Sequence, residues 1–333
     1  MKSDPFFIVG SGRCGTNLLR DMLRKHPQIK IPPETHFFFT LHDKFGTEKI
    51  SSKDYLGTIE DHYSSDGSQL IELIAKTEYD SYPEFKSRFL SACSEAGIDR
   101  ARVPIYTEKL YEVLYGSTDY YFGDKTPHYG VEMNTIREFW PDAKFIHLIR
   151  DGVHVADSMT RHPGFIKLIN GDISIDQLDR CTYEAEVVDL PSSQIDIEDA
   201  LDLWERLVKK TRSNGRKLPE DSYIEMKYES VLLNPDPNIS KIGDFLGVET
   251  YQNWRRRATA VPRPFYLNNI RNRFTDIEYN RLFENVQPTM EGFGYPDKRT
   301  YNRRREMLRS VRHYWLTFLH PSHIISIKNR LIR

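Results

Sequence analysis

Cysteine is scarce: Cys14, Cys93 and Cys181 are the only three in 333 residues. An odd set without short paired spacings excludes a disulfide framework and offers no zinc-ligand pattern; it suits a reducing compartment. Long apolar runs are missing too. No stretch reaches the ~20 apolar residues that a membrane-spanning helix needs. The apolar run at Phe6 is too short for the core of a signal peptide, so the expected location is the cytoplasm. Charge of one sign is also lacking. The chain has 47 Lys/Arg against 48 Asp/Glu, a net of −1, and no nucleic-acid partner is expected. No internal repeat, heptad or low-complexity run is present, which excludes solenoids and coiled coils.

What is present is length enough for a large core in one domain or two, and an uneven distribution of charge. Lys298–Arg333 carries ten basic residues and one acidic, a net of +9, which leaves −10 on the rest. From Arg303 the arginines interleave with Met307, Leu308, Val311, Trp315, Leu316, Phe318 and Leu319. A basic amphipathic helix of this kind can lie on an anionic membrane surface, on a partner, or on its own domain.

The stretch that organises the chain is near its start. Phe6-Phe7-Ile8-Val9 reads as a buried parallel strand, and Leu18, Leu19, Met22 and Leu23 recur at helical spacing. Between them, Gly10-Ser11-Gly12-Arg13-Cys14-Gly15 is a glycine-rich loop. Strand, loop and helix in this order form a phosphate cradle, because glycines admit the anion and the helix start points N–H groups at it. Gly10 and Gly15 have the separation of the loop G-x-x-x-x-G-K-[ST], but Thr16 and Asn17 stand where its lysine and magnesium-binding hydroxyl belong. The loop therefore suits a phosphate better than a magnesium triphosphate, with Arg13 as the replacement cation. The alternative is a glycine-rich turn that merely joins strand to helix. Cys14 reads as a small filler.

Ile29-Lys30-Ile31 reads as a second strand, followed by Pro32-Pro33-Glu34-Thr35-His36. Pro33 suits a first helical position, which would leave Glu34 near a helix N-terminus. The functional alternative for Glu34 is a general base beside the phosphate loop, at the carboxyl end of a strand. Phe37, Phe38 and Phe39 read as core or pocket wall. Residues 43–119 are mostly helical and polar, with helical patterns near Ser68–Ala75 and Pro83–Ala96; they form part of an acceptor pocket or its cover. Tyr120-Tyr121-Phe122 is a short strand that ends in Gly123-Asp124-Lys125-Thr126-Pro127. Lys125 is either a cation for a transferring anionic group or a solvated surface lysine. His128 is a second candidate base or a packing residue.

Lys144–Ile149 is a further buried strand. Arg150 closes it, and Ser158 follows about two helical turns later. Both can bind one anion if the helix returns beside the strand end; otherwise Arg150 pairs with Asp151 or Asp157. Residues 162–193 read as an irregular insertion or lid. Ile197–Arg212 is an amphipathic helix capped by Asp196, Ser222–Tyr228 a strand, Asn234–Pro237 a turn, and Ile239–Leu246 a helix ended by Gly247. Arg255–Arg257, Arg263, Arg271 and Arg273 form an arginine-rich, loop-like stretch, either a phosphate clamp or solvated. Met290–Pro296 closes the globular part.

Two phosphate motifs in this order resemble those of sulfotransferases that use 3′-phosphoadenosine-5′-phosphosulfate (PAPS). Phe7–Asn17 is similar to their 5′-phosphosulfate loop, and Arg150 through Ser158 to their 3′-phosphate motif. The likeness continues through Pro33–His36, Gly123–Pro127, Met226-Lys227-Tyr228-Glu229 and Phe245-Leu246-Gly247 to Gly294-Tyr295. It is nearest to the bacterial-type enzymes related to tyrosylprotein and carbohydrate sulfotransferases. The cytosolic phenol enzymes place a histidine two residues after a lysine, where this chain has Pro127. Cys14 replaces a more usual serine, and Asn17 a threonine or serine.

The resemblance implies an α/β, P-loop NTPase-like three-layer fold with a central parallel sheet and helices on both faces. It makes residues 1–296 the catalytic domain and 297–333 the tail. It implies catalytic roles for Glu34 (the base), Lys125, Arg13 and His36. The donor site would comprise Gly12, Arg13, Cys14, Gly15, Thr16, Asn17, Arg150, Ser158, Tyr228, Arg271 and Arg273. PAPS would be the donor and 3′-phosphoadenosine 5′-phosphate (PAP) the product, without a metal. The acceptor would be a small molecule or glycan, with a carbohydrate or glycolipid favoured. A P-loop small-molecule kinase and a non-catalytic, membrane-associated scaffold are the competing readings.

Overall fold

The computed structural model describes residues 3–63, 68–170, 195–262 and 274–295. Among the described residues seven strands run in chain order: β1 (Phe6–Val9), β2 (Ile29–Lys30), β3 (Ile50–Ser51), β4 (Arg100–Ala101), β5 (Tyr121–Asp124), β6 (Lys144–Ile149) and β7 (Tyr223–Lys227). Five form a parallel sheet in the order β2-β5-β1-β6-β7, and β3 and β4 pair separately and antiparallel. Phe6 aligns with Gly123 on one side and with Lys144 on the other, so β1 lies between β5 and β6.

Alternation along β1 divides the core. Phe7 and Val9 pack into one apolar cluster with Phe145, Ile149 and Trp204; Phe6 and Ile8 pack into another with Leu19, Ile146, Leu148 and Trp254. A sheet buried on both faces needs helices on both faces. The predicted three-layer, P-loop-like α/β fold is what forms. Ligands of such sheets bind beyond the carboxyl ends of the strands, where neighbouring connections diverge. Here that position is the end of β1.

Several local expectations need correcting. Pro33 does not open a helix: the first helix after β2 is Phe38–Phe45, so Glu34 stands in the irregular connection before it. Pro235 starts a helix, Pro235–Leu246, rather than lying in a turn, because proline costs nothing at a first helical position. Arg255–Arg257 lie in the helix Gln252–Thr259, and Arg255 is bound to Asp236 through Nε and Nη2. It is a structural ion pair, not a phosphate clamp. Part of the supposed irregular insertion is the helix Pro163–Ile169, while residues 171–194 lie outside the described residues. Arg263, Arg271, Arg273 and the tail from 296 onward also lie outside them. Residues 43–119 are mainly helical as expected, though the small β3–β4 pairing gave no sequence signal. Among the described residues no helix is long and apolar enough to cross a membrane.

Candidate active site

The loop after β1 turns through left-handed backbone at Gly12 (φ 72°), Arg13 (φ 52°) and Gly15 (φ 94°). Two of the three are glycines, for which this conformation is inexpensive. Close packing requires them as well. A Cβ on Gly15 would lie 2.3 Å from the ring of Tyr228, and one on Gly12 would lie 2.5 Å from the ring of Phe165. Gly10 N–H donates to the carbonyl of Pro127 at 2.9 Å, which ties the loop to the end of β5. The helix Thr16–Leu23 starts directly after Gly15 and has no side-chain cap. Its first N–H groups are therefore available to an anion. Cys14 is wholly buried, and burial pushes its thiol up, as befits a filler rather than a nucleophile.

Three elements converge on this loop. Arg13 Nε donates to Ser158 Oγ at 3.1 Å, from the helix Gly152–Met159. Arg150, at the end of β6, donates from Nη1 to the carbonyl of Arg13 at 3.2 Å. Its guanidinium also lies 4.6 Å from the centre of the Tyr228 ring, whose residue follows β7. The helix does return beside the strand end. The two aspartates proposed as alternative partners of Arg150 are engaged elsewhere. Asp151 caps its helix through His154 N–H and accepts from Tyr279 Oη at 2.6 Å. Asp157 accepts from Nη1 and Nη2 of Arg161 at 2.5 and 2.8 Å.

Beside the loop, the ends of β2 and β5 bring Glu34, His36 and Lys125 together. Glu34 Oε1 accepts from Lys125 Nζ, and Oε2 from His36 Nε2 at 2.7 Å. Lys125 is 2% exposed, so it is not a solvated lysine. Burial opposes the charge on Glu34. The hydrogen bond from His36 and the Lys125 ammonium outweigh that and hold the carboxyl well below the usual carboxylate range. Burial lowers Lys125 from its ordinary value, with Glu34 acting against the fall. Burial also lowers Arg13, again partly offset by Glu34. His128 lies next to Phe165, ring centres 5.8 Å apart, on the Gly12 side of the site.

The sequence reading missed the residues that support this group. Thr35 donates through Oγ1 to Asp124 Oδ2 at 2.7 Å and through its N–H to Thr126 Oγ1 at 3.1 Å. Tyr129 Oη lies 2.9 Å from Thr35 Oγ1 and accepts from Phe38 N–H at 3.2 Å. The signal was the polar run Asp124–Thr126 at the end of an apolar strand, of which only the lysine had been weighed. Phe165 and His162 were missed because the segment carrying them lacks periodicity. Burial lowers His162, and so does the nearby charge of Arg13.

The sequence profile of the Sulfotransferase family matches residues 5–253. Among curated proteins, the Nodulation protein NoeE of Sinorhizobium fredii is 26% identical over 154 residues, covering 46% of this chain and 30% of that protein. The omega-hydroxy-beta-dihydromenaquinone-9 sulfotransferase Stf3 of Mycobacterium tuberculosis is 25% identical over 267 residues, covering 74% of this chain and 64% of its own length. The chain thus spans less than two thirds of the curated relatives it matches. Among solved structures, the sulfotransferase domain of the Synechococcus PCC 7002 olefin synthase gives a TM-score of 0.49 at 21% identity, covering 86% of this chain and 95% of that one. Mouse sulfotransferase SULT7A1 complexed with PAP gives 0.39 at 12%, covering 93% and 88%. The profile match runs from the first strand past β7 and takes in the loop, Glu34, Lys125, Arg150 and Ser158, and on that extent the chain belongs to the sulfotransferase family.

Proposed function

We propose that this sulfotransferase moves the sulfuryl group of PAPS to an acceptor hydroxyl or amine. The observation that carries the reading is the meeting of Arg13, Ser158 and Arg150 at one glycine loop, with Lys125 and Glu34 beside it. The residues fit such a donor. The uncapped helix start and the loop N–H groups suit a 5′-phosphosulfate, and Arg150 with Ser158 suits a separate 3′-phosphate. That second phosphate distinguishes the donor from ATP.

The donor supplies an activated sulfur–oxygen bond. In the transfer, an acceptor oxygen forms a new bond to sulfur as the bond from sulfur to the 5′-phosphate oxygen breaks. The acceptor proton passes to Glu34, and PAP and the sulfated acceptor leave. Lys125, Arg13 and the loop N–H groups stabilise charge on the sulfuryl oxygens and the departing phosphate. By analogy with phosphoryl transfer, positioning and electrostatics do most of the catalysis.

Glu34 is a weak base while Lys125 and His36 both hold it. Its basicity rises once the Lys125 ammonium turns to the sulfuryl oxygens, which ties base strength to donor occupancy. The acceptor is a small molecule or glycan. A carbohydrate or glycolipid remains the first choice, and the menaquinone derivative named for Stf3 adds lipid alcohols to the panel.

Calorimetric titration with adenosine 3′,5′-bisphosphate, with and without magnesium and beside ATP, tests the donor site. Metal-independent binding of the bisphosphate alone is expected. Binding of magnesium-ATP instead would move the protein to the kinases and undo the roles of Arg150 and Ser158.

A further inference from the structure

Glu34 and His36 flank Thr35, and Lys125 lies between Asp124 and Thr126. Thr35 is bound to both neighbours of Lys125, Asp124 and Thr126, across the gap between the β2 and β5 connections. Thr35 Oγ1 commits its proton to Asp124 Oδ2, so Tyr129 Oη donates to Thr35 and takes the Phe38 N–H in turn. The chain of donors therefore runs one way, from the start of the helix Phe38–Phe45 to a buried carboxylate. Thr35, Asp124, Thr126 and Tyr129 are each no more than 1% exposed. His36, the next residue, has φ 57°, a backbone conformation that a non-glycine residue holds only when its surroundings impose it.

We infer that Thr35 and Asp124 are positioning residues: their buried contact locks two peptides face to face, so that Glu34, His36 and Lys125 meet in one geometry. The inference rests on the sulfuryl-transfer reading for its catalytic consequence. The lock itself is independent of that reading.

Two measurements on the full chain separate the two. The first is PAPS consumption with 4-nitrophenol, n-decanol and methyl glucoside, alongside PAP affinity. Thr35→Val keeps the shape and removes the hydroxyl; it should lower turnover about 10- to 100-fold with KM for the donor and PAP affinity unchanged. Thr35→Ser restores the hydroxyl and should restore turnover. The second is reductive methylation of lysines, read by mass spectrometry. Lys125 should become severalfold more reactive in Thr35→Val and not in Thr35→Ser, with Lys144 as the internal control for unfolding. This measurement needs no acceptor, so it decides the lock even if none of the three is sulfated. Wild-type turnover and labelling in Thr35→Val, or equal damage in Thr35→Ser, would overturn the inference. If Thr35→Val fails to fold, Tyr129→Phe removes the hydroxyl that donates to Thr35 and should raise Lys125 labelling in the same direction.

Discussion

Replacing Glu34 by Gln separates base chemistry from charge. Glutamine fills the same volume, and its carbonyl oxygen can still accept from Lys125. Two things are lost. The acceptor proton has nowhere to go, and a general base of this kind contributes about 10²- to 10⁴-fold. Lys125 also loses the carboxylate that opposes its desolvation at 2% exposure. Its pKa is already lowered by burial and falls further without Glu34, so the ammonium is discharged at lower pH than in the parent. The variant should therefore show a turnover lower by at least about 10²-fold. Its residual rate should decline as pH rises, through a lower pKa than any alkaline limb of the parent.

In the proposed function the donor-product site is built from other residues, so PAP affinity should stay within about threefold, less than 1 kcal/mol. Single-turnover rates at saturating donor from pH 6 to 9, with calorimetry alongside, read all of these quantities. Near-parental turnover in Glu34→Gln would refute the base assignment. A lost rate with an unchanged pH profile would refute the electrostatic coupling to Lys125.

Gly15→Ala places a methyl group 2.3 Å from the Tyr228 ring in left-handed backbone; it should cost about 1–3 kcal/mol and lower the thermal midpoint by several degrees, with PAP affinity falling as Tyr228 shifts under Arg150. Arg150→Ala should weaken PAP about 10- to 150-fold, the worth of a charge-assisted contact, and leave adenosine 5′-monophosphate binding nearly unchanged; equal losses for both would remove Arg150 from the 3′-phosphate. Glu225 is held below its ordinary value by two hydrogen bonds from Arg212, which outweigh its burial. A depressed carboxyl stabilises the fold above its unfolded pKa and loses that contribution as pH falls, so denaturant midpoints should drop below about pH 4.5 in the parent and less steeply in Glu225→Gln.

The sheet and the phosphate loop were legible because their signals are local. Four apolar residues, a loop of glycines and a helical repeat occupy adjacent positions, whereas the register of β1 is set by strands far along the chain, at Gly123 and Lys144. Arg150 and Ser158 were legible only in part. The sequence left Asp151 and Asp157 as rival partners, and the choice depended on Tyr279 and Arg161, which nothing in the Arg150 motif announces. Pro33 was misread for a related reason. Proline is compatible with a helix start, but here the hydroxyl of Thr35 is claimed by Asp124 from the end of another strand. That contact spans 89 residues and cannot be seen from either end alone.

Asp124 shows why the hidden part of the site is unlike ordinary packing. Its carboxyl is wholly buried, and burial raises it from 3.8 to about 6. Ionised in the fold, it destabilises by a contribution that is absent below the unfolded pKa and complete above the folded one. The hydrogen bond from Thr35 to Oδ2 reduces the cost without removing it, since Oδ1 has no partner among the described residues. A buried asparagine or an apolar residue would serve packing alone at lower cost. An ionised acceptor fixes the direction of the hydroxyl chain from Tyr129 through Thr35, and a neutral side chain with both donor and acceptor groups would leave that direction open. On the positioning inference, the carboxylate gives up stability for one defined arrangement of Glu34, His36 and Lys125, which is the exchange expected where geometry limits catalysis.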